Sequence, residues 1–132
     1  HRLSRRRMAN GLLLIDDAFN SNPSGSRMAL DVLAMMQGGR RFLITPGMIE
    51  LGDRQYELNR ELGRHAAACC DTAVVVNEYN RDAIVEGLRE GGMSDDAIRT
   101  MPDFSSAFAY VMEHSGAGDT VLIENDLPDT FR

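Results

Sequence analysis

Four short apolar runs, residues 12–15 (LLLI), 42–44 (FLI), 74–76 (VVV) and 121–123 (VLI), recur along this chain with segments of helical period between them. That alternation restricts the fold more than any other feature. A strand with one wet face would alternate apolar and polar positions, so an unbroken run of this length reads as a strand covered on both sides. Residues 72–76 (TAVVV) are the clearest case. The spacing predicts strands over 11–15, 41–45, 72–76, 98–101 and 120–124, the fourth short and edge-like. It predicts helices over 23–37, 57–70, 81–89 and 104–114. Strands alternating with helices imply an α/β domain with right-handed crossovers. The expected architecture is a Rossmann-like open, mostly parallel sheet of about five to six strands with helices on both faces.

A chain of 132 residues suits one such domain. Residues 1–10 are polar and basic and read as a linker at the boundary of a removed preceding domain, leaving 11–132 as the α/β domain. The net charge of -6 argues against nucleic-acid binding by charge alone, and Arg5–Arg6–Arg7 reads as a solvated face. No run approaches the ~20 apolar residues that span a bilayer, and no signal peptide is present, so no membrane partner is expected. Cys69 and Cys70 are adjacent, unsuited to pairing with each other, and consistent with a reducing cytoplasm. Lysine is absent. No lysine can therefore act as a Schiff base, a carbamylated metal ligand or a phosphate clamp.

In a parallel sheet, ligands meet the loops at the carboxyl ends of the strands. Residues 12–23, LLLIDDAFNSNP, read as a buried strand ending in two carboxylates, then an Asn-rich turn, then a helix opening at Pro23. Asn22 before Pro23 fits an ordinary N-cap followed by proline at the first helical position. One cap needs only one such residue, so the doubled Asp and doubled Asn favour a ligand site at Asp16, Asp17, Asn20 and Asn22. Three further loops share this rim: TPGMIELG (45–52), NEYN (77–80) and ENDLPD (124–129). The rim is rich in carboxylates and amides and poor in cations, which suits hydroxyls, amines and Mg²⁺-neutralised phosphates better than bare phosphate. There is no GxxxxGK[ST] loop and no GxGxxG. Nor do Ser, Cys, His and Asp assemble into a nucleophile arrangement, so the residues by themselves indicate a ligand-contacting domain without a complete active site and without a metal site.

The segment IDDAFNSNPSGSRMALDVLA (15–34) resembles the opening of the C-terminal domain of the Mur ligases, the ATP-dependent amide-forming enzymes of peptidoglycan precursor synthesis. The closest subgroup is the UDP-N-acetylmuramoyl-tripeptide–D-alanyl-D-alanine ligases, whose domain opens with a DDxYNANP-type turn. Here Phe19 replaces the Tyr and Ser21 an Ala. TPGMIELG resembles that subgroup's GDMxELG, with Thr45–Pro46 in place of Gly–Asp. The resemblance implies that Asp17, with Asp16 as alternate, approaches the ATP ribose, and that Asn20 and Asn22 line the same pocket. It implies substrate contacts from Met48, Glu50, Glu124, Asn125 and Asp126.

The same resemblance implies ATP and Mg²⁺ as cofactors, both held mainly by a central domain. The partners would be the N-terminal and central domains of the same chain, a UDP-muramyl-peptide substrate and an amino-acid or dipeptide acceptor. The family reaction runs through an acyl phosphate that the incoming amine attacks. The domain would close over the ATPase domain and carry no catalytic group of its own, so it should be inactive in isolation. The family's KGSR-like turn after the last strand is here Glu124–Asn125–Asp126–Leu127, so either the acceptor differs or the branch is divergent. The alternative is a stand-alone α/β binding or regulatory domain without ligase chemistry.

Overall fold

The computed structural model describes residues 3–17 and 22–125. Six strands form one sheet: β1 (Ser4–Arg7), β2 (Leu13–Asp17), β3 (Arg41–Thr45), β4 (Thr72–Val76), β5 (Ile98–Met101) and β6 (Thr120–Glu124). Four helices connect them: α1 (Pro23–Ala34), α2 (Gln55–Ala66), α3 (Arg81–Glu90) and α4 (Phe104–His114). The strand order is β1-β2-β6-β3-β4-β5. Every neighbouring pair is parallel except β1 with β2.

This order dictates where the helices lie. From β2 through β3 and β4 to β5 the chain steps in one direction, so right-handed crossovers put α1, α2 and α3 on one face. From β5 it must return to the gap between β2 and β3, and the same handedness puts α4 on the other face. The core divides accordingly. Ile15, Leu43, Val75 and Leu122 meet Leu30 and Leu33 of α1, Leu62 and Ala66 of α2, and Ile84 and Leu88 of α3. Leu14, Phe42, Ile44, Val74, Val121 and Ile123 meet Ala107 and Val111 of α4. Both faces of β3, β4 and β6 are buried, which is why these strands read as unbroken apolar runs.

Two local features depart from the sequence expectation. Ser4–Arg7, read as linker, is an antiparallel edge strand paired with β2, all four of its residues exposed. It covers the edge that β2 would otherwise leave open, and its arginines discourage further pairing. The second is the extent of β2. The strand runs on through both aspartates, because Asp16 pairs with Ser4 and Asp17 with Glu124. Ladder pairing, on both sides of Asp16 and with β6 at Asp17, overrides the poor strand preference of Asp. Side chains alternate across a strand, so the two carboxylates point to opposite faces.

Helices α2 and α3 approach closely through glycines. A Cβ on Gly63 would sit 2.3 Å from the Ile84 carbonyl oxygen, and one on Gly87 would sit 1.9 Å from that of Arg60. At the amino ends of the strands, two aspartates gather backbone N–H groups. Asp119 accepts from the N–H of Arg40 (2.8 Å) and of Gly116 (2.9 Å), and pairs with the Arg40 guanidinium. Asp71 accepts from the Arg41 N–H at 2.8 Å and takes a two-pronged contact from its guanidinium. The Arg41 bonds hold the Asp71 carboxyl below its usual range. Burial pushes Asp119 the other way, but the two N–H donors outweigh it and its carboxyl also falls.

Candidate ligand site at the carboxyl edge of the sheet

Because β2, β6, β3 and β4 are parallel, their carboxyl ends emerge at one edge, and the described loops 45–52 and 77–80 begin there. Backbone strain converges with them. Among the described residues, the non-glycine positions with left-handed φ are Glu50 (+63°), Asn77 (+73°) and Asn125 (+68°). Asn77 and Asn125 each directly follow a strand, β4 and β6, and Glu50 lies in the loop after β3. Such positions persist where the surroundings hold them, and they gather at functional edges.

Asp17 and Asn22 border a pocket of ≈ 260 Å³ at the start of α1, with Leu3, Ser24, Gly25, Met28 and Ala29 completing its lining. Leu3 belongs to the segment read as linker. Asn22 is the N-cap of α1, its side-chain oxygen accepting from the Gly25 N–H at 2.8 Å and the Ser24 hydroxyl at 3.0 Å. The capping explanation thus accounts for Asn22. Asp16 lies half-buried on the opposite face of β2. Asn20 and Asp126 lie outside the described residues.

Asp17 is 1% exposed, so it is not the solvated rim carboxylate that its place after an apolar run suggested. Its neighbour is Glu124, which is fully buried. Glu124 accepts from the Ser26 hydroxyl of α1 and, at 2.8 Å, from the Thr45 hydroxyl of β3. Burial pushes the Glu124 carboxyl from its ordinary 4.5 up to about 7; the two hydroxyls oppose this, and the charge of Asp17 adds to it. The expected acidic rim contact at Glu124 is therefore an internal tie between α1, β3 and β6. Its chemistry is inward because Glu124 occupies the same sheet face as Leu122, beneath α1.

The loop after β3 is held by amide side chains from two helices. The Met48 N–H donates to Asn59 Oδ1 at 2.8 Å. The Met48 carbonyl accepts from Asn59 Nδ2 (3.0 Å), Gln55 Nε2 (2.6 Å) and Asn80 Nδ2 (3.0 Å). Asn80 also reaches the Pro46 carbonyl, and Asn125 reaches that of Gly47. Gly47 has φ +84°, and a Cβ there would lie 2.5 Å from Asn59 Oδ1, so only glycine fits the clamp. Met48 is 1% exposed, and its backbone rather than its side chain faces the polar cluster. Glu50 is exposed and projects from the strained end of this loop. Sequence reasoning missed Gln55 and Asn59, since a polar residue inside a helix gives no periodic signal. Asn80 was placed on the rim, but its burial was not foreseen.

Removing the clamp should show in stability. Asn59→Ala leaves the Met48 N–H buried without its acceptor, a loss of about 1–3 kcal/mol by urea unfolding. An unchanged midpoint would mean that the loop is held by its own backbone.

The fold and this edge define an open, mostly parallel α/β domain whose loop after β3 is pinned by neutral amides and whose α1, β3 and β6 are tied by one buried carboxyl. Residues 1–124 match the family model for the Mur ligase, glutamate ligase domain. The UDP-N-acetylmuramoyl-tripeptide–D-alanyl-D-alanine ligase of Bacillus subtilis is 32% identical over 127 residues, covering 93% of this chain and 27% of that protein. The ligase of the same name from Mycobacterium tuberculosis is 27% identical over 142 residues, covering 94% and 28%. The crystal structure of the MurF ligase of Thermotoga maritima in complex with ADP superposes with a TM-score of 0.74 at 25% identity, covering 92% of this chain and 26% of that one. A MurF structure from Acinetobacter baumannii gives 0.74 at 25% identity, covering 95% and 27%. The chain belongs to the Mur ligase family, as a domain of the glutamate-ligase type. It spans about a quarter of the length of the relatives it matches. Among the described residues no helix is long and apolar enough to cross a membrane.

Proposed function

We propose that this chain is the C-terminal domain of a cytoplasmic, ATP-dependent C–N ligase of peptidoglycan precursor synthesis, joining an amino acid or dipeptide to a UDP-muramyl peptide. The observation that carries the reading is the match across nearly the whole chain to only a quarter of ligases named for that reaction. N-terminal and central domains of the same polypeptide would then be its partners.

The residues at the edge fit part of the nucleotide. The loops at 45–53 and 77–80 contain no cation, and among the described residues no carboxylate trio gathers there to hold Mg²⁺. Phosphates and Mg²⁺ would therefore be held by the central domain, and ATP bound there would supply the phosphoryl group that activates the substrate carboxylate. What this edge offers is a carboxylate in a pocket at the start of α1. An ionised Asp17 accepts two hydrogen bonds from vicinal hydroxyls, the chemistry of a ribose. The Ser26–Glu124–Thr45 tie fixes α1 and β3 against β6, the strand paired with Asp17's, so the wall is set before ligand arrives. Asn20, Asn125, Asp126 and Glu50 would face the remaining substrate groups. The domain's motion would be closure as a lid, completing the site and excluding water.

The test is ligation by the full-length enzyme of D-alanyl-D-alanine to a UDP-muramyl tripeptide, followed by phosphate release, with the 132-residue chain alone releasing none. Turnover by the isolated chain would refute the reading. Within the full-length enzyme, Asp17→Ala should raise the apparent KM for ATP by about ten- to a hundred-fold, the worth of a charge-assisted hydrogen bond of roughly 1.5–3 kcal/mol. Asp16→Ala, on the opposite sheet face, should leave it nearly unchanged. The reverse pattern would exchange the two roles, and no change in either would remove the ribose assignment.

A further inference from the structure

We propose that Asp31, His65 and Cys69 form a binding site for a single zinc ion on the outer seam between α1 and α2. One carboxylate oxygen of Asp31, a ring nitrogen of His65 and Cys69 Sγ all lie within 4.8 Å of one another. His65 and Cys69 are four residues apart across the end of α2, so one helical turn presents both. Asp31 comes from α1, with an oxygen already 2.7 Å from His65 Nε2.

The donor set identifies the metal. Thiolate, imidazole and carboxylate together suit borderline-soft Zn²⁺, whereas Mg²⁺ and Ca²⁺ take oxygen alone. Tetrahedral zinc with bonds of about 2.0–2.3 Å separates its ligand atoms by roughly 3.3–3.8 Å. Sγ needs to close on the other two atoms by about 1 Å, the Asp31–His65 pair at 2.7 Å needs to open by about 0.6 Å, and Asp31, exposed, can follow the metal. Its exposure also leaves the fourth position open to water.

The protons balance. His65 carries its ring proton on Nε2 when that nitrogen donates to Asp31, and Nδ1 then faces Arg27 at 3.4 Å. On binding, the ring proton moves to Nδ1, Nε2 takes the metal, and the Cys69 thiol releases its proton to solvent. One dication, one thiolate and one carboxylate leave a neutral site. Arg27 loses its acceptor and turns outward, so it competes with the metal. The Cys69 and Cys70 thiols each donate to the carbonyl four residues back, of His65 and Ala66, and it is Cys69 whose Sγ lies together with Asp31 and His65. The consequence would be a clip joining the helix that borders the ribose pocket to the helix that carries the loop clamp.

Co²⁺ added to the 132-residue chain under reducing conditions should give a thiolate-to-metal charge-transfer band in the near ultraviolet that saturates at a single equivalent and is displaced by Zn²⁺. Cys69→Ser should abolish the band and Cys70→Ala should keep it. Asp31→Asn changes only an exposed side chain and should fold normally, yet weaken Zn²⁺ binding by at least about ten-fold. Arg27→Ala should tighten it. A wild-type chain that gives no charge-transfer band, a band that survives Cys69→Ser or vanishes in folded Cys70→Ala, or an unaltered affinity in Asp31→Asn would overturn the assignment.

Discussion

Replacing Glu124 by glutamine is expected to flatten the pH dependence of stability between about pH 5 and 8. The Glu124 carboxyl is raised from 4.5 to about 7 in the folded chain, with burial as the main cause. A raised carboxyl means that the folded state holds its proton more tightly than the unfolded one. Stability from this group is therefore full below about pH 4.5, falls as pH rises through 7, and is level above that. The difference amounts to about 3 kcal/mol for a fully buried group. Glutamine keeps the volume, is neutral at every pH, and lets one hydroxyl of Ser26 or Thr45 donate while the other accepts. Urea unfolding of both proteins at pH 5 and pH 8 decides it. The natural chain should lose about 3 kcal/mol between the two, and the variant little. Asp71 and Asp119 have lowered carboxyls and titrate below this window, so they do not obscure it. Equal slopes in the two proteins would show that Glu124 is ionised throughout.

Gly87→Ala should destabilise the domain by about 3 kcal/mol, against the direction of helix propensity. Alanine in place of a mid-helix glycine normally adds about 1 kcal/mol of stability. Here the new methyl would lie 1.9 Å from the Arg60 carbonyl oxygen and 2.8 Å from the Arg64 nitrogen. Both are backbone atoms of α2, so no side chain can move aside, and the helices must separate. Overpacking of this kind costs about 1–3 kcal/mol or more. Separation would also carry Gln55 and Asn59 away from Asn80, so the loop over 45–51 should loosen with it. Thermal unfolding and amide exchange at Met48 give the two readouts. A variant more stable than the parent would mean that α2 and α3 slide apart freely.

The parts of this fold written in local chemistry were legible. Strands β3, β4, β5 and β6 and helix α4 fall where hydrophobic runs and turn residues place them. Non-local features were not. Ser4–Arg7 has no apolar alternation, and it is a strand only because β2 offers an edge. Asp16 and Asp17 read as a pair at a strand's end, yet ladder pairing draws them into the strand and its alternation splits them between faces. The sequence draws attention to the two aspartates but not to which way each carboxylate points. Glu124 shows the same limit. A carboxylate after an apolar run looks like a rim residue, and only α1 lying over it and β3 beside it reveal its two hydroxyl donors. Gln55, Asn59 and Asn80 are ordinary polar residues until the loop they hold is known.

The two ends of the sheet are secured by different forces, and ionic strength separates them. At the amino ends, Asp119 with Arg40 and Asp71 with Arg41 rely partly on paired charges that reach solvent. Dissolved ions screen such pairs within about 10 Å at 0.1 M salt. At the carboxyl ends, the clamp of Gln55, Asn59, Asn80 and Asn125 uses neutral amides, over which a Debye atmosphere has little hold. Salt therefore softens the pole at the amino ends of the strands and leaves the pole at their carboxyl ends in register.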